Sequence, residues 1–420
     1  MKVSAGKVLM LVENEFPRDT RVRNEASTLT ANGVQVSVLA LRGAGEARHE
    51  TVQGVTVYRM PRLTLFEKLP NPKGSTLVGL ANKARVLIGY VAEYLYFTAG
   101  CLAGSCYVAV KHGFDVVHAH NPPDTLFVVG ALHKLFGKKF VFDHHDLSPE
   151  LYRSRYTTAN GLVSRALALC ERASVRMADV VIATNESYRA IDIQRNGVSP
   201  SRVFIVRNGP DLNRVRLTEP DAALRGKARV LLGYLGAMNP QDGVDYMLRA
   251  LRHLRYELHR SDFHAVAIGN GDSLESLRSL STELGLADCV TFTGFIPDEE
   301  MVRLLSTVDI CLDPNPSNPL NDVSTWIKVM EYMAMGKPVV SFDLKETRYS
   351  AGDAAAYVTP NDESAFARAV AELMDDPERR SRMAQIGRER IQSELGWHVT
   401  SRNLLRAYET LLPGSQSAAV

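Results

Sequence analysis

Residues 313–343, DPNPSNPLNDVSTWIKVMEYMAMGKPVVSFD, constrain the fold more than any other stretch, because they place an extended entry, a helix, a stop and a buried strand in immediate succession. Pro314, Pro316 and Pro319 fix φ and keep the entry extended. Asn321, Asp322 and Ser324 carry the short side-chain oxygens that satisfy open N–H groups at a helix start, so the helix is expected to begin there. Ile327, Met330 and Ala334 recur at helical spacing towards a core, which turns Thr325, Lys328 and Glu331 or Tyr332 to another side. Gly336 stops the helix, and the apolar residues 339–342 read as a buried strand. A helix start presents N–H groups and a partial positive charge. A diphosphate therefore fits against Ser324 and Thr325, with Lys328 as the full charge and Glu331 accepting from sugar hydroxyls. The same residues also suit an ordinary helix and strand with Lys328 and Glu331 solvated, and the rest of the chain has to separate the two.

That rest alternates short apolar runs with polar loops and helices. Residues 8–12 form a strand that ends in the polar turn 13–19, and a helix follows to Asn32 with Gly33 as its stop. Further strands are expected at 34–38, 55–60, 115–118, 139–142, 180–183 and 203–206, giving a mainly parallel sheet with crossover helices. Ligands in such sheets sit beyond the carboxyl ends of the strands, where His118, His120 and Asn121 and then Asp143, His144, His145 and Asp146 fall. A polar stretch after Asn208, Gly209 and Pro210 marks a domain boundary. Beyond it, strands at 229–235, 264–268, 290–293 and 309–312 end in Gly236, Gly269, Gly294 and Asp313. One glycine of that kind is usually a tight turn; four strands ending alike suit a second doubly wound domain that brings backbone close to a nucleotide.

With 49 Lys and Arg against 47 Asp and Glu, the chain has no field that points to nucleic acid. Cys101, Cys106, Cys170, Cys289 and Cys311 are scattered and form no CxxC pair, which favours a reducing compartment over a disulfide framework or a zinc site. The apolar run before Glu13 is short for a signal peptide, so a cytoplasmic location is expected. Residues 86–110 are long and apolar, with Glu93 as their charge, yet sit between strands of one sheet. A helix buried in the first domain is expected. Lys68, Lys73, Lys83 and Arg85 with Phe66, Tyr90, Tyr94, Tyr96 and Phe97 also suit peripheral contact with the inner face of a membrane.

Two doubly wound α/β domains facing across a cleft, with residues 1–208 and 209–395 as the domains and 396–420 as a terminal helix returning to the first, resemble the GT-B glycosyltransferases. The details are similar to their retaining family-4 group. The resemblance implies an enzyme that moves a sugar, with retention of configuration, from a UDP- or GDP-sugar to a glycan, lipid-linked or small-molecule acceptor. It implies no metal and no cofactor besides the nucleotide-sugar. FPRDTRVRNEASTL places Asp19 and Arg21 at the acceptor side together with His120 and Asp146, and VFDHHDLSPELY places His145 at the donor-sugar histidine. Arg207, Asn208 and Gly209 match the segment at the domain junction. KVMEYMAMGKPVV places Glu331 at the second of two paired glutamates, with Lys328 beside it. Gly236, Asn239, Gly269, Gly271, Ser324 and Thr325 fall on the donor, and FTGFIPDEE puts Phe295 and Ile296 near the base. Two departures stand out: Val323 occupies the place of the first glutamate, eight positions before Glu331, and the loop AMNPQDG after Gly236 carries neither the Arg nor the Lys that hold a diphosphate. A sugar-nucleotide epimerase of the same fold and a non-catalytic nucleotide-sugar-binding partner subunit are the alternatives.

Overall fold

The computed structural model describes residues 5–63, 77–155 and 161–412, so Phe66, Lys68 and Lys73 lie outside the described residues. The chain divides into two compact units, one of residues up to Arg207 with Ser401 onwards and the other Asn208–Thr400.

The first unit is built on eight strands: β1 (Lys7–Glu15), β2 (Gln35–Leu41), β3 (His49–Val52), β4 (Val55–Met60), β5 (Val116–His120), β6 (Lys139–His144), β7 (Val180–Ala183) and β8 (Val203–Ile205). Their order is β3-β4-β2-β1-β5-β6-β7-β8. All pairs are parallel except the β3–β4 hairpin, which adds an antiparallel edge beyond the strands expected from the sequence. His118 lies within β5 and His120 is its last residue, both paired with β6, so the strand runs two residues past the expected end at 118. Helix α1 (Thr20–Ala31) starts at Asp19, whose side chain accepts from the Val22 N–H. Helix α2 (Leu77–Lys111) replaces the fully buried helix expected over 86–110. Phe97, Cys101, Ser105 and Val108 are buried on one side, whereas Ile88, Val91, Leu95, Tyr107 and Val110 stay exposed on the other. Among the described residues no helix is long and apolar enough to cross a membrane.

The second unit carries β9 (Val230–Leu235), β10 (Phe263–Ile268), β11 (Val290–Gly294), β12 (Ile310–Asp313), β13 (Val339–Phe342) and β14 (Ala355–Val358), all parallel, in the order β11-β10-β9-β12-β13-β14. The order reverses between β9 and β12, which makes the crevice beyond Leu235 and Asp313 the place where a doubly wound sheet takes a ligand. Side chains alternate across the sheet: Leu232 and Tyr234 join a core with Val244, Leu248 and Leu251, and Leu231 and Val266 join another with Met330 and Tyr332.

Residues 313–343 follow the expected sequence of shapes with a shifted helix start. Asn321–Val323 is a single 3-10 turn, residues 324–326 run extended, and the helix spans Ile327–Ala334 with Trp326 at its head and no side-chain cap. Asn321 is instead tied down by its own amide, which donates to the Gln241 and Pro316 carbonyls, and Ser324 Oγ donates to the Leu320 carbonyl. The polar side chains were spent on the turn, so none remained to cap the helix.

Candidate active site

In the first unit, β1 and β5 lie side by side at the point where the chain reverses direction across the sheet. Beyond their carboxyl ends lies a cavity of about 520 Å³, lined among others by Glu13, Asp19, Tyr94, Asn121, His145 and Asp146. Asn121 builds its floor. Its Oδ1 accepts from the His145 and Asp146 N–H groups at 2.9 and 3.1 Å, and its Nδ2 donates to Asp124 Oδ1 at 2.9 Å and to the Asp146 carbonyl at 2.6 Å. His145 and Asp146 are thereby presented from a fixed turn. Burial alone would lower the His145 pKa, but Asp143, 3.4 Å away, and Asp146 outweigh it, so the imidazole is held above its ordinary value. Burial and then the Glu13 and Asp146 carboxylates push the Tyr94 hydroxyl up, so it stays a neutral donor in the cavity wall.

Beneath the cavity, Arg21 donates from Nε and Nη2 to the two oxygens of Asp143 at 2.6 and 2.7 Å, from Nη1 to the Val206 carbonyl, and lies 3.3 Å from Glu25. His120 Nδ1 reaches Asp143 at 2.8 Å and stacks on His118 with ring centroids 4.2 Å apart; His118 Nδ1 meets the Tyr408 hydroxyl at 2.9 Å. All of these groups are buried. Burial opposes the charge of each, and what remains follows from the partners. Asp143 stays ionised because of Arg21, Glu25 is pushed towards its neutral form by burial and Asp143, and His118 and His120 are held neutral by burial. Of the residues expected on the acceptor side, Arg21 and His120 are buried and bonded to Asp143, while Asp19 and Asp146 line the cavity together with His145. Among the described residues, Glu25, His118, His120 and Asp143 are close enough together to ligate a metal ion, but the Arg21 guanidinium already supplies a positive charge there and opposes a second.

In the second unit the donor candidates gather at the chain reversal between β9 and β12. Gly269 has φ +135°, and a side chain on it would start 1.9 Å from the Gly236 carbonyl; one on Gly271 would start 2.5 Å from the Met238 carbonyl. The loops after β9 and β10 thus cross with backbone touching backbone, joined by Gly236 N–H to Ile268 O, Met238 N–H to Asn270 O and Ser273 N–H to Met238 O. These glycines serve loop-on-loop contact first. Asn239 and Asp242 satisfy each other's N–H groups, which leaves the loop's shape fixed without a cation.

Lys328 is buried at 7% exposure, with Nζ 3.8 Å from Asp313, 3.4 Å from the Tyr234 hydroxyl, and over the Tyr234 and Trp326 rings at 4.6 and 5.3 Å. Burial raises the Asp313 pKa and Lys328 only partly offsets it. Asp313 Oδ1 in this pair and Trp326 Nε1 beside it are buried without a hydrogen-bond partner, as are both amide atoms of Asn315, Asn321 Oδ1 and Gln241 Oε1 elsewhere in residues 313–326 and the loop after β9. Orphaned polar atoms at this density are costly unless a ligand or water answers them. Glu331, one turn beyond Lys328, accepts from Arg214 Nη1 at 2.6 Å. Arg214 was missed from the sequence; only its place after the junction segment 207–209 hinted at it. Ile296 is partly buried against the core, whereas Phe295 is 84% exposed. Ser324 is buried and Thr325 half-buried beside the head of the helix.

Two family models cover most of the chain: a glycosyl transferase 4-like domain matches residues 19–209 and glycosyl transferases group 1 matches residues 229–376. The D-inositol 3-phosphate glycosyltransferase of Thermobispora bispora is 30% identical over 260 residues, which span 58% of this chain and 59% of that protein. The protein of the same name from Corynebacterium efficiens is 24% identical over 82% of this chain and 85% of its own length. Among solved structures, sucrose-phosphate synthase from Thermosynechococcus elongatus superposes with a TM-score of 0.70 at 18% identity, covering 97% of this chain and 99% of its own. Anabaena HepE in complex with UDP gives 0.68 at 15%, covering 96% of this chain and all of its own.

Proposed function

The chain belongs to the GT-B-fold glycosyltransferases, related to the family-4-like group, and from that premise we propose that it moves a sugar from a nucleotide-sugar donor to an acceptor hydroxyl with retention of configuration. The donor is a UDP- or GDP-sugar held by the second unit, and the acceptor is a glycan, lipid-linked or small-molecule alcohol held in the cavity of the first. The observation that carries this reading is Lys328, a buried ammonium whose nearest carboxylate stands 3.8 Å off among orphaned polar atoms. An anion placed there gains a charge-assisted contact that the protein does not supply internally. The uncapped N–H groups at Ile327 and Lys328 add donors for the same anion. Lys328 thus replaces the Arg and Lys absent from the loop after Gly236.

Charge develops on the leaving diphosphate as the sugar is released, so Lys328 and the helix start act as the electrostatic stabilisers. The acceptor hydroxyl attacks from the face the diphosphate leaves and passes its proton to the departing phosphate oxygen, which needs no protein nucleophile. His145 touches the sugar, and Asp19 and Asp146 orient the acceptor. A cytoplasmic enzyme that touches a membrane through the exposed apolar side of α2 fits a lipid-linked acceptor, and Ile88, Val91 and Leu95 would enter the interface.

Thermal shifts with UDP, GDP, ADP and dTDP test the donor site. A ligand at a hundred times its dissociation constant adds about 2.7 kcal/mol to the native state. One nucleotide that stabilises the protein, with the effect lost in Lys328→Ala, is the expected result. No shift from any of them would overturn the donor assignment and favour the partner-subunit reading. Flotation with anionic liposomes tests the membrane contact separately.

A further inference from the structure

We infer that Arg214 is a positioning residue of the donor site, fixing the Glu331 carboxylate and tying it to the loop that follows β11. The inference rests on the reading of Glu331 as a donor contact. Arg214 donates from Nε and Nη2 to the two oxygens of Asp298, each at 2.9 Å, and from Nη1 to Glu331 Oε1 at 2.6 Å. One planar guanidinium therefore spans two carboxylates from different elements, a geometry that a lysine point charge does not reproduce in full. Asp298 opens the helix Asp298–Thr307 directly after Phe295, Ile296 and Pro297, so the same arginine joins the expected base loop to the expected sugar-contacting glutamate.

The two arms differ in weight. Asp298 is 63% exposed, so its pairing is screened by water, whereas the Glu331 side chain is 11% exposed. Burial raises the Glu331 pKa, Arg214 opposes the rise, and Asp298 adds to it. Taking Arg214 away leaves burial and Asp298 acting together, and both favour the neutral acid. A neutral carboxyl loses the charge-assisted bonds that a carboxylate makes to two hydroxyls. The second oxygen of Glu331 is then the one left for a ligand, since Oε1 is occupied by Arg214.

Binding of the nucleotide-sugars UDP-glucose, GDP-mannose and ADP-glucose is measured by calorimetry for wild type, Arg214→Gln, Arg214→Lys and Glu331→Gln between pH 5 and 8. Arg214→Gln should weaken the preferred nucleotide-sugar about tenfold or more at the acidic end, and the loss should shrink as pH rises and Glu331 ionises. Arg214→Lys should keep most of the affinity, and Glu331→Gln should bind weakly with no such pH dependence. A loss in Arg214→Gln that is the same at every pH, or no loss beside a weak Glu331→Gln, overturns the inference alone. Wild-type affinity in Glu331→Gln, or no binding by the wild type, overturns the reading of Glu331 together with it.

Discussion

In the first unit Arg21 lies 2.6 and 2.7 Å from the two oxygens of Asp143, with Glu25 and His120 closing the ring of charge; in the second, Lys328 stands 3.8 Å from Asp313 and leaves that carboxylate's Oδ1 without a hydrogen bond. Both sets are buried at the carboxyl ends of parallel strands, so position in the fold does not separate them. Satisfaction of the ion pair itself does: Arg21 takes up both oxygens of Asp143, although Glu25 Oε1 and Oε2 and the Nε2 atoms of His118 and His120 beside it lack a hydrogen bond, whereas Lys328 leaves Asp313 Oδ1 unbonded. A buried charge that is fully answered by its neighbours contributes to structure, and one that is half answered is available to a ligand. The same contrast holds within the first unit, where His145 reaches the cavity while His118 and His120 are sealed beneath it.

Removing the cations tests that contrast most sharply. Arg21→Ala strands Asp143 and Glu25 and should cost about 3–5 kcal/mol in urea unfolding. Lys328→Met should cost within about 1 kcal/mol, because Asp313 can take up a proton, yet should abolish nucleotide binding. Equal destabilisation by both would erase the distinction.

His145→Ala should lower transfer by about a hundredfold, equivalent to about 2.7 kcal/mol in the barrier, while leaving the unfolding midpoint close to wild type. His118→Ala should do the reverse. If both lose activity without losing stability, the sealed histidines act in the reaction and the partition of the first unit fails.

A third test uses pH and a second sealed cluster. His144 lies between Asp192 at 2.7 Å and Glu171 at 3.7 Å; burial alone would lower its pKa, but the two carboxylates raise it well above the ordinary value. His144, Arg195 and the amide of Asn196 hold Glu171 at about 2 against burial. A raised base contributes stability that is fully present below its unfolded pKa, about 6.5, and is lost as pH rises through the folded one. A depressed acid contributes stability present above about 4.5 and lost as pH falls towards about 2. Unfolding of wild type should weaken in the acidic window, and Glu171→Gln should flatten that limb by up to about 3 kcal/mol, since a tenfold difference in proton affinity between the folded and unfolded chain is worth about 1.4 kcal/mol. A parallel profile in the variant would show that Glu171 is not held by the pair.

The smallest effect concerns the exposed side of α2. Ile88→Ser and Val91→Ser should change stability by less than about 0.5 kcal/mol, since both side chains face solvent. They should reduce recovery with anionic liposomes, and unchanged flotation would remove the membrane contact.

Much of this was legible in the chain. Apolar runs such as 8–12 and 139–142, each followed by polar residues, marked out both sheets, because a parallel strand buried on two faces has to be continuously apolar. The match of KVMEYMAMGKPVV placed Lys328 and Glu331 on one short helix. The bonding of Arg21 to Asp143 was not legible, because sequence shows that a charge stands near a strand end and not whether another charge, 122 residues away, has already answered it. Arg214 was invisible for the same reason, its partner Glu331 lying 117 residues on. The helix start was misplaced because Asn321 and Ser324 had two local uses, capping and turn closure, of nearly equal free energy.

By itself the sequence determined most of the strands and helices, β3, β14 and the start of the helix at Ile327 apart, that two α/β domains follow one another, and which residue types stand at the strand ends, since those follow from periodicity and local backbone preference. Tertiary structure alone decided which of the charges are spent. Whether a carboxylate or ammonium is neutralised depends on separations of a few ångströms between residues far apart in the chain, and the low polarity of the interior magnifies those separations into large differences in free energy.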